Sequence, residues 1–260
     1  MHFTPLDLAR LVVVLTIEGS VCCLAWARRL YKPLPVFTGY LTAVVVCDIL
    51  RFSVIFTLGP RSKTEFVVYW TTQWILVMIR AAVIYEICHR LLAAYPGVWR
   101  LCKMVLSLLA MALIFVTWID ATKQGPWIAR FFLTLDRGFE LEVLGILVVV
   151  SFFCRYYHIP VDRLVGLIVA GLSLYSALTI LNDTFASHWF MPLLVVWREI
   201  RGDSFELAEG IWFAAIALWK PLQERQRAPV LLDSEVYSEM TVVVTVRLRE
   251  LNARLEEILR

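Results

Sequence analysis

Charge is scarce in this chain. Only 18% of its 260 residues are Asp, Glu, Lys or Arg, against about 25% in a soluble domain. The shortage extends over the first 220 residues and excludes an ordinary water-soluble globule there. The net charge of +3 is too small to argue for a nucleic-acid partner. No basic segment and no small-residue cleavage site accompany the N-terminal MHFTPLDLAR, so the first apolar run is expected to be kept as a helix. The six cysteines, Cys22, Cys23, Cys47, Cys88, Cys102 and Cys154, fall within or at the ends of apolar runs, which argues against a disulfide framework. None has the tight spacing of a zinc site, and no metal or cofactor is expected. Paired His and carboxylate motifs for metal-assisted hydrolysis are also missing. The chain reads as non-enzymatic.

What is present is apolar. Hydrophobic residues make up 60% of the chain, with ten Trp, nine Tyr and fifteen Phe, and the mean hydropathy is +0.73. Roughly 20 mostly apolar residues are needed to cross the hydrocarbon core as a helix. Seven such runs occur, at about 8–27, 36–58, 66–90, 98–119, 137–156, 163–182 and 205–220. The expected fold is therefore all-α: a polytopic bundle of seven transmembrane helices over 1–222, followed by a cytoplasmic tail at 223–260.

The connections after the first, third, fifth and seventh runs contain Pro33 and Pro35, Pro96, Pro160 and Pro221, which end helices and start turns. They also hold eleven Lys and Arg, against eight on the opposite side. The positive-inside rule then places the N-terminus outside and the C-terminus in the cytoplasm. The opposite connections, GPWIARFFL (125–133) and HWFMPLLVVWREIRG (188–202), mix Trp127, Phe131, Phe132, Trp189, Phe190 and Trp197 with scattered charge. Short interfacial helices are expected there, either capping the bundle or forming a lid over an external opening.

Within the runs, MIRAAVIYEICHR (78–90) carries Arg80 and Glu86. Six positions apart, they lie about 240° apart around a helix and about 9 Å along it, so they do not satisfy each other. Glu86, near His89 and Arg90, is expected to reach interfacial water. Arg80 needs a partner from another helix. Glu18 lies near the middle of the first run, and Asp48 and Arg51 near the middle of the second. Asp48 and Arg51 are three apart and can pair. An unpaired charge at the bilayer centre costs a few kcal/mol or more, so Glu18, Asp48, Arg51 and Arg80 are expected to form one neutral cluster, structural or ligand-binding. Further out, Asp136, Arg137, Glu140 and Glu142 form one polar group, and Asp203, Glu206 and Glu209 another. Glu206 and Glu209 share a face and would give an acidic mouth suited to a cation; the other reading leaves all these carboxylates in headgroup water. In the sixth run, Gly166, Ala170, Ser173 and Ala177 make a stripe of small residues expected to pack against a neighbour, with Tyr175 and Asn182 on other faces.

The tail turns periodic in EVYSEMTVVVTVRLRELNARLEEILR. Tyr237, Thr241, Val244, Leu248, Leu251, Leu255 and Ile258 alternate spacings of four and three. That is a short heptad seam, fit for pairing with a second copy or a partner protein through 237–258, or for folding back on the membrane.

A lysine buried in the last run, as a retinal protein needs, is missing: Lys220 stands at its end. No repeat relates runs one to three to runs five to seven, as two-repeat transporters would show. The segments YKPLPVFTGYL, YEICHRLLAAYPGVWRL and FFCRYYHIP resemble those of uncharacterised bacterial seven-helix membrane proteins, and look broadly like membrane sensor regions that precede signalling domains. That resemblance implies an inner-membrane, receptor-like or accessory sensor module, carries over no functional residue, and departs from the sensors in having no output domain. The alternative is a small transporter or channel using the same charged cluster.

Overall fold

A computed structural model describes residues 5–59, 62–121, 127–157, 159, 161–188, 194–219, 246, 250–255 and 257, with side chains from residue 9 onward outside 120–134, 136 and 183–203. Seven helices follow in order: α1 (Pro5–Ala27), α2 (Pro35–Leu58), α3 (Lys63–Leu92), α4 (Pro96–Ala121), α5 (Trp127–Tyr156), α6 (Arg163–His188) and α7 (Leu194–Ala217). Residues 250–255 of the tail are helical as well. The described structure is all-α. Each helix coincides with one of the seven apolar runs, but α5 and α7 begin about ten residues earlier than hydropathy indicates. The helical part of 125–133 and of 188–202 is thus continuous with the long helices instead of forming separate interfacial ones. Backbone hydrogen bonding carries the helix through residues too polar to register as a span. The aromatic side chains of those two segments lie outside the described residues.

Local chemistry explains the helix ends. Pro35 and Pro96 open α2 and α4, where the missing N–H costs nothing. Ser62 caps α3 by accepting from the Glu65 N–H at 3.0 Å, as in a capping box. Arg29 closes α1 in the left-handed region, φ 55°, and the Leu30 N–H reaches the Ala25 carbonyl at 2.9 Å, a Schellman closure built on a non-glycine residue.

Six helices close into a ring, α1–α2–α3–α5–α6–α7 and back to α1, while α4 stands outside on the α3–α5 seam. The ring is inverted relative to a soluble protein. Phe56, Phe66, Met111, Phe115, Val149 and Phe152 are more than half exposed, whereas Glu18, Thr72, Arg80, Glu140, Ser176, Thr179 and Glu209 are buried. Four helices contain stretches long and apolar enough to cross a membrane: Ala9–Ala27, Pro35–Leu58, Pro96–Ile119 and Arg163–Asn182. With the outward apolar surface, they point to a multi-pass helical membrane protein. The remaining helices, α3, α5 and α7, contribute the buried Arg80, Glu140 and Glu209, and α1 adds the buried Glu18.

The small-residue stripe of α6 does not face the core. Ala170 is exposed, and Gly166, Ser173 and Ala177 are only partly covered. The buried face instead carries Leu164, Ile168, Gly171, Leu172, Tyr175, Ser176, Thr179 and Asn182. Gly171 is the close-approach position: a Cβ there would stand 2.9 Å from Trp212 Cδ1, and the fully buried Trp212 donates its indole N–H to the Ile168 carbonyl at 3.3 Å. One large knob on α7 in one glycine-sized hole decides the α6–α7 face, a pairing that a search for small-residue repeats passes over.

Candidate functional site

Arg80 is not held by the first two helices. Its guanidinium pairs with Glu140 of α5, and both side chains are almost completely buried. The second Glu140 oxygen accepts from Ser176 Oγ of α6 at 2.6 Å. Tyr175 of α6 and Tyr40 of α2 put their rings 4.8 and 5.8 Å from the guanidinium carbon, within cation–π range. Four ring helices therefore meet on one neutral ion pair. This corrects both the single four-charge cluster and the reading of Glu140 as solvated. Hydropathy alone cannot choose among carboxylates of similar depth, and the choice fell on the helix that ring closure brings beside α3.

Glu86 is partly buried and has a protein partner. Its two carboxylate oxygens accept from the Val36 and Phe37 N–H groups at 3.0 and 2.9 Å, the unsatisfied donors at the start of α2. One turn on, Arg90 donates to the Pro33 carbonyl at 2.5 Å. The N-cap position of α2 is Leu34, with no side-chain cap, so α3 supplies one from outside. That vacant cap was visible in the sequence as an apolar residue before Pro35. On the same turn, Arg28 donates to the carbonyls of Ala217 and Trp219 at 3.2 and 3.5 Å, placing a cation at the negative end of α7. From the tail, Asn252 accepts from the Gly97 N–H at 2.8 Å and caps α4, while Leu255 packs against the core. The tail thus folds back on the bundle at this point. Tyr237, Thr241, Val244, Leu248 and Ile258 of the proposed seam lie outside the described residues.

Removing Arg80 from the cluster leaves an excess of acid. Arg51 pairs with Asp48 at 3.1 Å, as its spacing indicates, and donates further to Thr72 Oγ1 at 2.7 Å and Gln73 Oε1 at 3.2 Å on α3, with the Tyr69 ring 4.9 Å away. Glu18 of α1 is 2% exposed and faces Asp48 within hydrogen-bonding reach, with Glu209 and Arg51 also in its field. Glu209 of α7 is 1% exposed and interacts with Asp48 and Glu206. Glu206 itself is half-buried. So three carboxyls from α1, α2 and α7 gather near a single guanidinium, Arg51, which already pairs with Asp48 and is bonded to α3. Oε2 of Glu18 and Oε2 of Glu209 are buried with no hydrogen-bond partner among the described residues. An uncompensated buried carboxylate costs several kcal/mol. Taking up a proton or a cation relieves that cost.

Elsewhere, Cys88 of α3 and Cys102 of α4 lie within hydrogen-bonding reach, with Cys154 of α5 nearby. Among the described residues no set of three or more His, Cys, Asp or Glu is arranged to hold a metal ion. The acidic cluster, made by closure of α7 onto α1, is the strongest candidate site; Glu18, Asp48, Arg51 and Glu209 come together in it, and Arg80 belongs to a separate pair. No family model matches the chain, and no curated protein or solved structure is similar to it.

Proposed function

We propose that this chain is a seven-span membrane protein, N-terminus outside and C-terminus in the cytoplasm, that binds a cationic ligand at the buried carboxyl cluster of Glu18, Asp48 and Glu209 and acts as a receptor-like or accessory module. The observation that carries the reading is the pair of buried carboxylate oxygens, on Glu18 and Glu209, with no partner among the described residues. Burial of such groups without a partner is costly, and intramembrane ionisable residues are functional-site hypotheses by default. The excess of Lys and Arg on the proline-containing connections supports the orientation. The docking of Asn252 on α4 supports a route by which the bundle reports to a partner at the cytoplasmic side. The reading involves no catalysis.

A small transporter using the same cluster is the second reading. It is favoured by α6, whose inward face carries Tyr175, Ser176, Thr179 and Asn182.

The test uses the full chain in phosphatidylcholine nanodiscs, with putrescine, spermidine or tetramethylammonium chloride added at matched ionic strength. A ligand that binds only the folded state raises its unfolding temperature. At least one cation is expected to stabilise the parent but neither Glu18→Gln nor Glu209→Gln, both of which remain as stable as the parent without the cation. Absence of any shift in the parent, or a shift that survives both substitutions, sinks the cation site. Flux of the stabilising cation into protein-loaded liposomes would favour the transporter.

A further inference from the structure

A cavity lies outside the ring, where α4 leans on the α3–α5 seam. It has a volume of about 360 Å³, within the size range of small-molecule pockets. From Trp74 to Tyr85 it runs about 16 Å along α3. Its walls are apolar: Val77 and Ile84 from α3, Leu113 from α4 and Ile146 from α5 are among them. Among the described residues lining it, Glu142 is the one that carries a charge.

The backbone explains why the space exists. Gly138 sits one turn before Glu142, and a Cβ there would collide with Leu113 of α4. The two helices therefore touch at Gly138. At Glu142, on the same face of α5, the cavity has opened between them. Because α4 makes its main helix contacts with α3 and α5 among the described residues and stands outside the ring, the cavity lies toward the outer surface of the bundle, where lipid would lie.

We propose that this cavity binds a lipophilic amine that enters from the bilayer, with its ammonium on Glu142 and its apolar body against α3 and α4. Charge complementarity selects the head group: a half-buried carboxylate among apolar walls is compensated by one cation with several N–H donors. Trp74 and Tyr85 line the two ends of the space, and the Ser107 hydroxyl is a further polar group in it. Depth selects a free amine over a phospholipid head group. Glu142 is 14 residues from the end of α5 at Tyr156, about 21 Å, and five residues inside the apolar run that begins at 137, about 8 Å. A phospholipid ammonium placed there would drag its phosphate into the hydrocarbon. The site is separate from the acidic cluster of α1, α2 and α7.

The test measures binding of 4-phenylbutylamine and its neutral analogue 4-phenylbutanol to the full chain in phosphatidylcholine nanodiscs, with empty nanodiscs subtracted. The parent is expected to prefer the amine at least tenfold. Glu142→Gln abolishes that preference while still taking the alcohol, Ala110→Trp fills the cavity and weakens both, and Glu209→Gln changes neither. Equal affinity of the parent for amine and alcohol overturns the proposal, as does an amine preference unchanged in Glu142→Gln. Amine binding lost in Glu209→Gln but kept in Glu142→Gln moves the ligand to the acidic cluster: this inference then fails and the reading of that cluster as a cation site stands. Unfolding temperatures of all variants identify any that fail to fold.

Discussion

Arg80 finds its carboxylate in Glu140, sixty residues along the chain, and not in Glu18 or Asp48 of the helices before it. The pair is buried on both sides and shared by α2, α3, α5 and α6 through Tyr40, Tyr175 and Ser176. It is a structural lock for the ring, and its assignment leaves the acids of α1, α2 and α7 in excess.

Breaking one side of a buried pair strands the other, at a cost of about 3–5 kcal/mol, whereas replacing both with apolar residues is often close to neutral. Arg80→Met and Glu140→Leu are each expected to lower stability by about that amount, with the double variant recovering more than half of the combined loss. Arg80→Met with Glu18→Gln should show no such recovery. Unfolding in mixed detergent measures all four. Recovery with Glu18 in place of Glu140 would refute the assignment.

Glu86 satisfies two amides at the start of α2. Glu86→Ala leaves both without that acceptor and is expected to cost about 1–3 kcal/mol. Glu86→Gln keeps an acceptor oxygen but loses the charge at the helix N-terminus, worth about 0.3–1 kcal/mol, and should fall between. Thermal unfolding decides it: parent-like stability of Glu86→Ala would show that water caps α2 equally well.

The Trp212 indole occupies the space at Gly171. Gly171→Ala is expected to cost about 1–3 kcal/mol by overpacking, although alanine favours a helix over glycine by about 1 kcal/mol. Adding Trp212→Phe should relieve part of the clash. A Gly171→Ala variant more stable than the parent would show that α7 shifts freely against α6.

Asn252 caps α4 through Gly97 and Val98. Asn252→Ala is expected to cost about 1 kcal/mol and to speed hydrogen exchange both at the α4 N-terminus and in residues 250–255. Unchanged exchange in the tail would mean that Leu255, not the cap, holds it.

The sequence by itself determined that the chain is helical and built of runs apolar enough to point to a membrane, because hydropathy acts on each run separately and proline marks the breaks. It also determined the Asp48–Arg51 pair, since a spacing of three fixes neighbours on one helix. It showed that Arg80 had to be compensated but not by which group, because depth along a helix is legible and azimuth around the bundle is not. Only the tertiary structure decided that α3 turns Arg80 toward α5 and Glu86 toward α2. Ring closure likewise put Glu18 and Glu209, nearly 200 residues apart, around Asp48. Residues on separate helices become neighbours through packing, and packing here followed single features, such as Trp212 in the hole at Gly171, that no periodicity announces.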